Sequence, residues 1–152
     1  MNTPLSFAST TPRFGLPNLF PGQGQKEFFV NEAYAIIDGL MHLAVEGSQS
    51  SPPVSPVEGE AWIVGSLADG DWSGNDGAIA IQTQGGWSFL TPTIGMLAYD
   101  KSLGQFARYD GTWQVAAEPM EPQGGTTIDV EARATIGQLI SALQSFGILS
   151  AP

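Results

Sequence analysis

From Glu60 onward, apolar and polar residues alternate in short runs, and turns rich in Gly, Asp and Asn separate the runs. The runs cover residues 61–64, 78–83, 87–90, 96–99, 105–109 and 113–116. A two-residue period places successive side chains on opposite faces of a strand, and the turn residues tolerate positive φ. The pattern predicts a small antiparallel β-sheet or barrel of hairpins over residues 57–117.

A strongly apolar helix is predicted ahead of this region. Apolar residues recur at steps of three and four from Gln25 to about Glu46, and Gly47 is well placed to end the helix in a left-handed conformation. We therefore predict an oligomerisation or attachment helix over residues 25–47. Its candidate contact residues are Phe28, Phe29, Ile36 and Leu40. A linker rich in Ser and Pro, residues 48–56, follows and predicts a boundary.

Residues 1–24 are predicted to form an extended docking arm. Within residues 12–21 of the arm, prolines fix φ at three positions and favour extended geometry in the residues before them. Phe14, Leu16 and Phe20 then project from a segment that has no regular hydrogen bonding of its own. These apolar side chains need another surface to cover them, so the arm is expected to dock.

The last part of the chain, residues 126–152, predicts a helix and a tail. Asp129 is a good N-cap for a helix from about Val130 to Phe146, and Gly147 is a typical ending. The four-three spacing of its apolar residues is that of a coiled-coil seam, whose members include Ile136, Leu139 and Leu143. Either this seam packs on the chain's own sheet, or it pairs with other copies.

Composition limits the classes of partner. Fifteen carboxylates and five scattered basic residues give a net charge of -10, which argues against binding to nucleic acid or to anionic membrane surfaces. The chain has no cysteine, so disulfides and thiolate metal sites are excluded. Neither a secretory signal nor an apolar run of 18 residues is present, so we expect a chain made in the cytoplasm that does not insert into membranes. No metal or cofactor is predicted.

The low content of charge predicts self-association. Only 13% of the residues are charged, and more apolar side chains lie outside the β region than one small subunit can bury. We expect a homo-oligomer, with a trimer as the expected assembly. Asn31 and Glu32 lie among apolar neighbours and are expected to hydrogen-bond the arm or a neighbouring chain.

No residue pattern predicts catalysis. His42 is the only histidine and has no cysteine or second histidine to act with, so a structural role is expected. Aspartates in the hairpin turns could form a glycosidase pair or ligate calcium, but their simpler role is to cap backbone N–H groups. We expect no enzymatic activity.

Aromatic and polar residues near the turns are candidates for sugar recognition. The set consists of Trp72, Asn75, Asp76, Tyr99 and Trp113. Aromatic rings can stack on sugar rings while amides and carboxylates bind the hydroxyl groups. The alternative is that the rings are buried in the core of a small sheet.

Several motifs in residues 12–33 and 52–113 carry a resemblance to a known family. They include Gly15-Leu16-Pro17, Gly22-Gln23-Gly24-Gln25-Lys26, Asn31-Glu32-Ala33, Gly86-Trp87 and Tyr109-Asp110-Gly111-Thr112-Trp113. In these motifs the chain resembles an uncharacterised protein family that is found in phages and gene transfer agents of alphaproteobacteria. Members of that family form part of tail fibre and head spike proteins.

The resemblance implies a structural component of a virion, made in the bacterial host, that contacts other virion proteins and takes part in host adhesion. The alternative function is a carbohydrate-binding module that recognises a host surface polysaccharide. The chain ends soon after its last predicted helix, which favours an adaptor or a short spike over a long adhesive fibre.

Overall fold

The computed structural model describes residues 19, 22, 24–83, 85–117, 119–120 and 129–150. The chain is an α+β protein with two helices and two small mixed sheets. The helices are α1 (Lys26–Leu40) and α2 (Val130–Ser145). The strands are β1 (Ala44–Val45), β2 (Ser48–Gln49), β3 (Ala61–Val64), β4 (Ile79–Thr83), β5 (Gly86–Leu90), β6 (Leu97–Asp100), β7 (Gln105–Tyr109) and β8 (Trp113–Val115). A 3₁₀ turn covers Gly70–Trp72.

Each sheet has four strands. One has the order β1-β6-β7-β8 and the other the order β2-β3-β4-β5. The hairpin pairs are antiparallel as predicted, but β1 pairs with β6 and β2 pairs with β3 in parallel. The expectation of a purely antiparallel sheet or barrel is therefore wrong, and within the described residues the two sheets do not close into a barrel.

One extended segment, residues 43–49, joins the two sheets. The carbonyl of Val45 accepts a hydrogen bond from Lys101 N–H of the first sheet (2.9 Å), and the carbonyl of Gly47 accepts one from Ile63 N–H of the second (3.0 Å). This corrects the predicted helix over 25–47, which ends at Leu40. His42 has a positive φ of 55°, and the chain beyond it turns into an extended conformation that buries Val45.

The main core lies between the two sheets. Its buried members are Leu43, Val45, Ala61, Ile63, Ile79, Ile81, Leu90, Ala98 and Ala107. Helix α1 covers one end of this core with Ile36 and Leu40. The helix approaches β4 closely at Gly39, where an added Cβ would lie 2.4 Å from Ile81 Cδ1.

A second core lies on the other face of the β2-β3-β4-β5 sheet. Trp72 is its centre and packs with Val64, Ala78 and Ala80. In the sequence, Trp72, Trp87 and Trp113 each come just after a turn that contains glycine, which predicts that each begins the returning strand of a hairpin. This is wrong for Trp72, which lies in the 3₁₀ turn. The loop folds back because an indole that is fully buried contributes more stability than the same indole would at an exposed strand position.

Helix α2 begins and ends close to the predicted residues. The Asp129 carboxylate accepts a hydrogen bond from Ala132 N–H (2.8 Å), and Gly147 follows the helix with a φ of 68°. The helix meets the sheets at its C-terminal end, where Phe106 N–H donates to the Gly147 carbonyl and Leu149 is buried. None of the residues of α2 itself is buried. No described helix is long and apolar enough to cross a membrane.

Candidate functional site

The predicted docking residues of the arm, Phe14, Leu16 and Phe20, lie outside the described residues. The predicted docking residues of α1 separate into two groups. Ile36 and Leu40 contact the main core and are therefore partly structural. Phe28 is 58% exposed, so its ring remains available to another surface.

The seam predicted on α2 is largely uncovered. Ile136 is 46% exposed and Leu139 is 59% exposed, whereas Leu143 is half-buried. Phe146, the residue that ends the helix, is 76% exposed. The sequence leaves two alternatives for this seam, packing on the chain's own sheet or pairing with other copies. The described residues do not show the seam packed along the chain's own sheet.

Trp72 does not belong to an accessible sugar-binding surface. Its side chain is completely buried, and its ring packs edge to face on Trp87 with centroids 5.1 Å apart. A ring needs a free face to stack on a sugar. The assignment of Trp72 to glycan binding is therefore wrong, and its role is to fill the second core.

Asn75 and Asp76 hold the loop that covers this core. The Asp76 carboxylate accepts hydrogen bonds from Leu67 N–H (2.9 Å) and Ala68 N–H (3.0 Å). The Asn75 side-chain amide lies 3.4 Å from the carbonyls of Trp72 and Ser73. Both side chains thus satisfy backbone groups of their own loop, as the simpler interpretation of turn aspartates predicts.

Tyr99 and Trp113 lie on opposite faces of the first sheet. Tyr99 is opposite Phe106 in the register, and Trp113 is opposite Tyr109. Phe106 and Tyr109 are three residues apart on β7, so their side chains point to opposite faces. Trp113 also packs against the main core. The five candidate glycan residues therefore do not form one surface.

A groove between α1 and the β4–β5 hairpin is the clearest concave surface of the described residues that contains predicted contact residues. It has a volume of about 570 Å³. Its walls are formed by Phe28, Asn31, Glu32 and Ala35 from α1, by Glu58, and by Thr83, Gly85, Gly86, Trp87 and Ser88 from the hairpin. Asn31 and Glu32, which the sequence singled out as polar contact residues, both line it.

The groove combines aromatic and acidic side chains. Phe28 supplies apolar surface, and Glu32 and Glu58 supply two carboxylates, whereas the ring of Trp87 packs on Trp72 in the second core. None of the described residues that line it is basic. A smaller cavity of about 240 Å³ adjoins it and shares Ala35, Glu58 and Thr83. The arrangement suits an extended segment that has apolar side chains and a positive charge.

The hairpin wall of the groove is also an edge of its sheet. On the β3 side of β4, the Gln82 N–H donates a hydrogen bond to the Glu60 carbonyl, and the Gln82 carbonyl accepts one from Gly59 N–H. Because backbone groups alternate in direction along a strand, those of Ile81 and Thr83 face β5. The N–H and C=O groups of Trp87 and Phe89 consequently point away from β4, to the open edge of β5. Such groups can pair with an added extended chain.

Sequence reasoning did not find Glu58, Thr83 or Ser88 as site residues. They become neighbours of α1 only through the β4–β5 hairpin and the position of the helix over β4, and no local motif connects them. Among the described residues, no group of three or more His, Cys, Asp or Glu side chains is arranged to hold a metal ion.

Residues 30–114 match the family described as "Protein of unknown function (DUF2793)". The match covers more than half of the chain. The chain belongs to this family. No curated protein matches it.

The family region corresponds closely to the folded body. It begins within α1 at Val30 and ends within β8 at Gln114. Every groove residue except Phe28 falls inside the DUF2793 region. The arm and α2 lie outside it.

Proposed function

We propose that this protein is a structural component of a phage or phage-like particle, in which it forms a self-associating module of a tail fibre or spike and contributes to adhesion to the host surface. The place in a particle rests on the motif resemblance. The self-association rests on one observation, the uncovered apolar seam of α2.

The exposed residues on α2 are spaced for helix pairing. Ile136, Leu139 and Phe146 lie three and seven residues apart, so they follow one side of the helix. Exposed apolar residues in such a row, unlike scattered ones, mark an interaction surface. The C-terminal end of α2 is held on the body through Gly147 and Leu149, which leaves the seam open to α2 of another copy.

We also propose that the protein is not an enzyme. Two of the five turn aspartates that could have formed a catalytic pair have backbone partners: Asp76 accepts hydrogen bonds from two loop N–H groups, and Asp100 accepts them from Ser102 N–H and Leu103 N–H. The carbohydrate-binding alternative has less support, because its five residues are buried, engaged in loops or divided between two faces.

The self-association is tested by sedimentation equilibrium of the full chain. We expect a trimer at micromolar concentration and at least a tenfold weaker assembly for Leu139→Gln. Val54→Gln is the matched control, because it makes a similar exchange at an exposed apolar residue outside both helices. A monomer at 100 µM, or equal weakening by both variants, would contradict the proposal.

The place in a particle is tested with an antibody against the purified chain. We expect it to label density-gradient-purified particles in electron micrographs, on the tail tip or on the capsid. Detection of the chain only in particle-free fractions would contradict this half of the proposal.

A further inference from the structure

The groove between α1 and the β4–β5 hairpin has an occupant that the chain itself can supply. Counting side chains, the arm, residues 1–24, contains one basic residue, Arg13, and no carboxylate. The remaining 128 residues contain four basic residues and fifteen carboxylates, a net charge of −11. The positive arm and the acidic body are therefore complementary in charge.

The composition of the arm also matches the groove. Residues 12–20 contain Arg13 together with Phe14, Leu16, Leu19 and Phe20. The groove presents aromatic surface beside two carboxylates and has no basic lining residue. Prolines stiffen the segment, so little conformational entropy is lost when it binds in an extended form.

The length of the segment is sufficient. Nine extended residues reach up to about 30 Å. The α1 wall of the groove, from Phe28 to Ala35, is about 10 Å long at 1.5 Å per residue. Several side chains of the segment can therefore lie in the groove at once.

The described residues before α1 are exposed. An added Cβ at Gly22 or at Gly24 would have no neighbouring atom within 4 Å. Gln25 is exposed, and the side chain of Leu19 is 52% exposed. These described residues therefore remain accessible to a second subunit.

We propose that residues 12–20 of one copy dock in the groove of a neighbouring copy, with Arg13 placed against Glu32 or Glu58 and apolar side chains against Phe28. This arm exchange rests on the self-association proposed above and names the second surface that carries it. It gives the acidic groove a partner and covers the exposed ring of Phe28.

The absence of cysteine allows a direct test by disulfide trapping in the full chain. Chains carrying Phe14→Cys, Leu16→Cys or Leu19→Cys are mixed with differently tagged chains carrying Ser88→Cys, in the groove. We expect at least one arm position to form a mixed disulfide ten or more times faster than with Ser73→Cys. Ser73 is the control because it lies by the second core and is more exposed than Ser88, so random collision favours it.

Charge gives an independent readout. Arg13→Gln, added to the chain that carries the arm cysteine, should slow disulfide formation with Ser88→Cys severalfold. For the pair of chains that keeps Arg13, 0.5 M salt should also reduce the rate of disulfide formation, because screening weakens an exposed ion pair. Unchanged rates in both experiments would overturn the placement of Arg13.

The outcomes separate this inference from the proposed function. An oligomer that shows no trapping at any arm position, or equal trapping at Ser73 and Ser88, overturns arm exchange and leaves self-association standing. Only intramolecular disulfides in a Leu16→Cys/Ser88→Cys chain would show that the arm binds its own groove, which also overturns the exchange. A monomer in sedimentation overturns both.

Discussion

Replacing Trp72 with alanine removes the centre of the second core. The side chain is completely buried, packs edge to face on Trp87 and contacts Trp62 with centroids 6.4 Å apart. Truncation of a buried tryptophan to alanine destabilises a protein by about 3–5 kcal/mol. A functional role in sugar stacking would instead leave the free energy of unfolding nearly unchanged.

One feature of the site reduces the expected loss. The indole N–H of Trp72 is buried without a hydrogen-bond partner among the described residues, and such a group is unfavourable by about 1–3 kcal/mol. Alanine removes this unfavourable group together with the packing. We therefore expect a loss near the lower end of the range, about 3 kcal/mol, which corresponds to a fall in Tm of about 12–24 °C for a body of this size.

The assay is urea unfolding followed by far-ultraviolet circular dichroism, at one fixed protein concentration because assembly contributes to the apparent stability. Trp72→Phe keeps an aromatic ring and removes the unpaired N–H, so it should lose less stability than alanine. Ser73→Ala, at the exposed neighbouring residue, should lie within about 0.5 kcal/mol of the unsubstituted chain. A loss below 1 kcal/mol for Trp72→Ala would refute the structural assignment.

Two further predictions concern the helices. Gly39→Ala should destabilise the protein by about 1 kcal/mol in the same urea assay, because the new Cβ meets buried Ile81 and this overpacking exceeds the gain in helix propensity. The control Gly137→Ala in α2, where an added Cβ has nothing within 4 Å, should instead increase the hydrogen-exchange protection of that helix. A stabilising effect of Gly39→Ala would contradict the close packing of α1 on β4. Asp129→Ala removes the N-cap hydrogen bond from Ala132 N–H and should lower hydrogen-exchange protection across α2 about fivefold, which corresponds to about 1 kcal/mol. Protection of the sheets should not change. Unchanged protection of α2 would show that the cap does not stabilise the helix.

The β-strands were predictable from local pattern. All six alternating runs are strands, β3 to β8, with ends that shift by one residue at most. Their turns contain glycines with positive φ, such as Gly86 at 108° and Gly111 at 113°. Period and turn chemistry act over a few residues, so a single sequence carries enough information to predict them.

The segment that joins the sheets was not predictable in this way. Leu43 and Val45 fit both a helical stripe and an alternating strand, and the apolar run around them is too short to decide. The strand conformation is selected by pairing with β6, whose residues lie more than fifty positions later. The groove was missed for the same reason, because Glu32 and Ser88 become neighbours only when the helix and the hairpin are both in place.

The energetics of α2 explain why a second contact between copies is needed. Burial of the exposed parts of Ile136, Leu139 and Phe146 would contribute about 3–5 kcal/mol per copy. Association loses an estimated 4–15 kcal/mol through lost rigid-body freedom, so a seam that short gives weak assembly by itself. An arm that docks in the neighbour's groove adds contacts to the same association without a second loss of rigid-body freedom. The two surfaces should therefore be strongly interdependent: Arg13→Gln and Leu139→Gln should each reduce the assembly to a weak one.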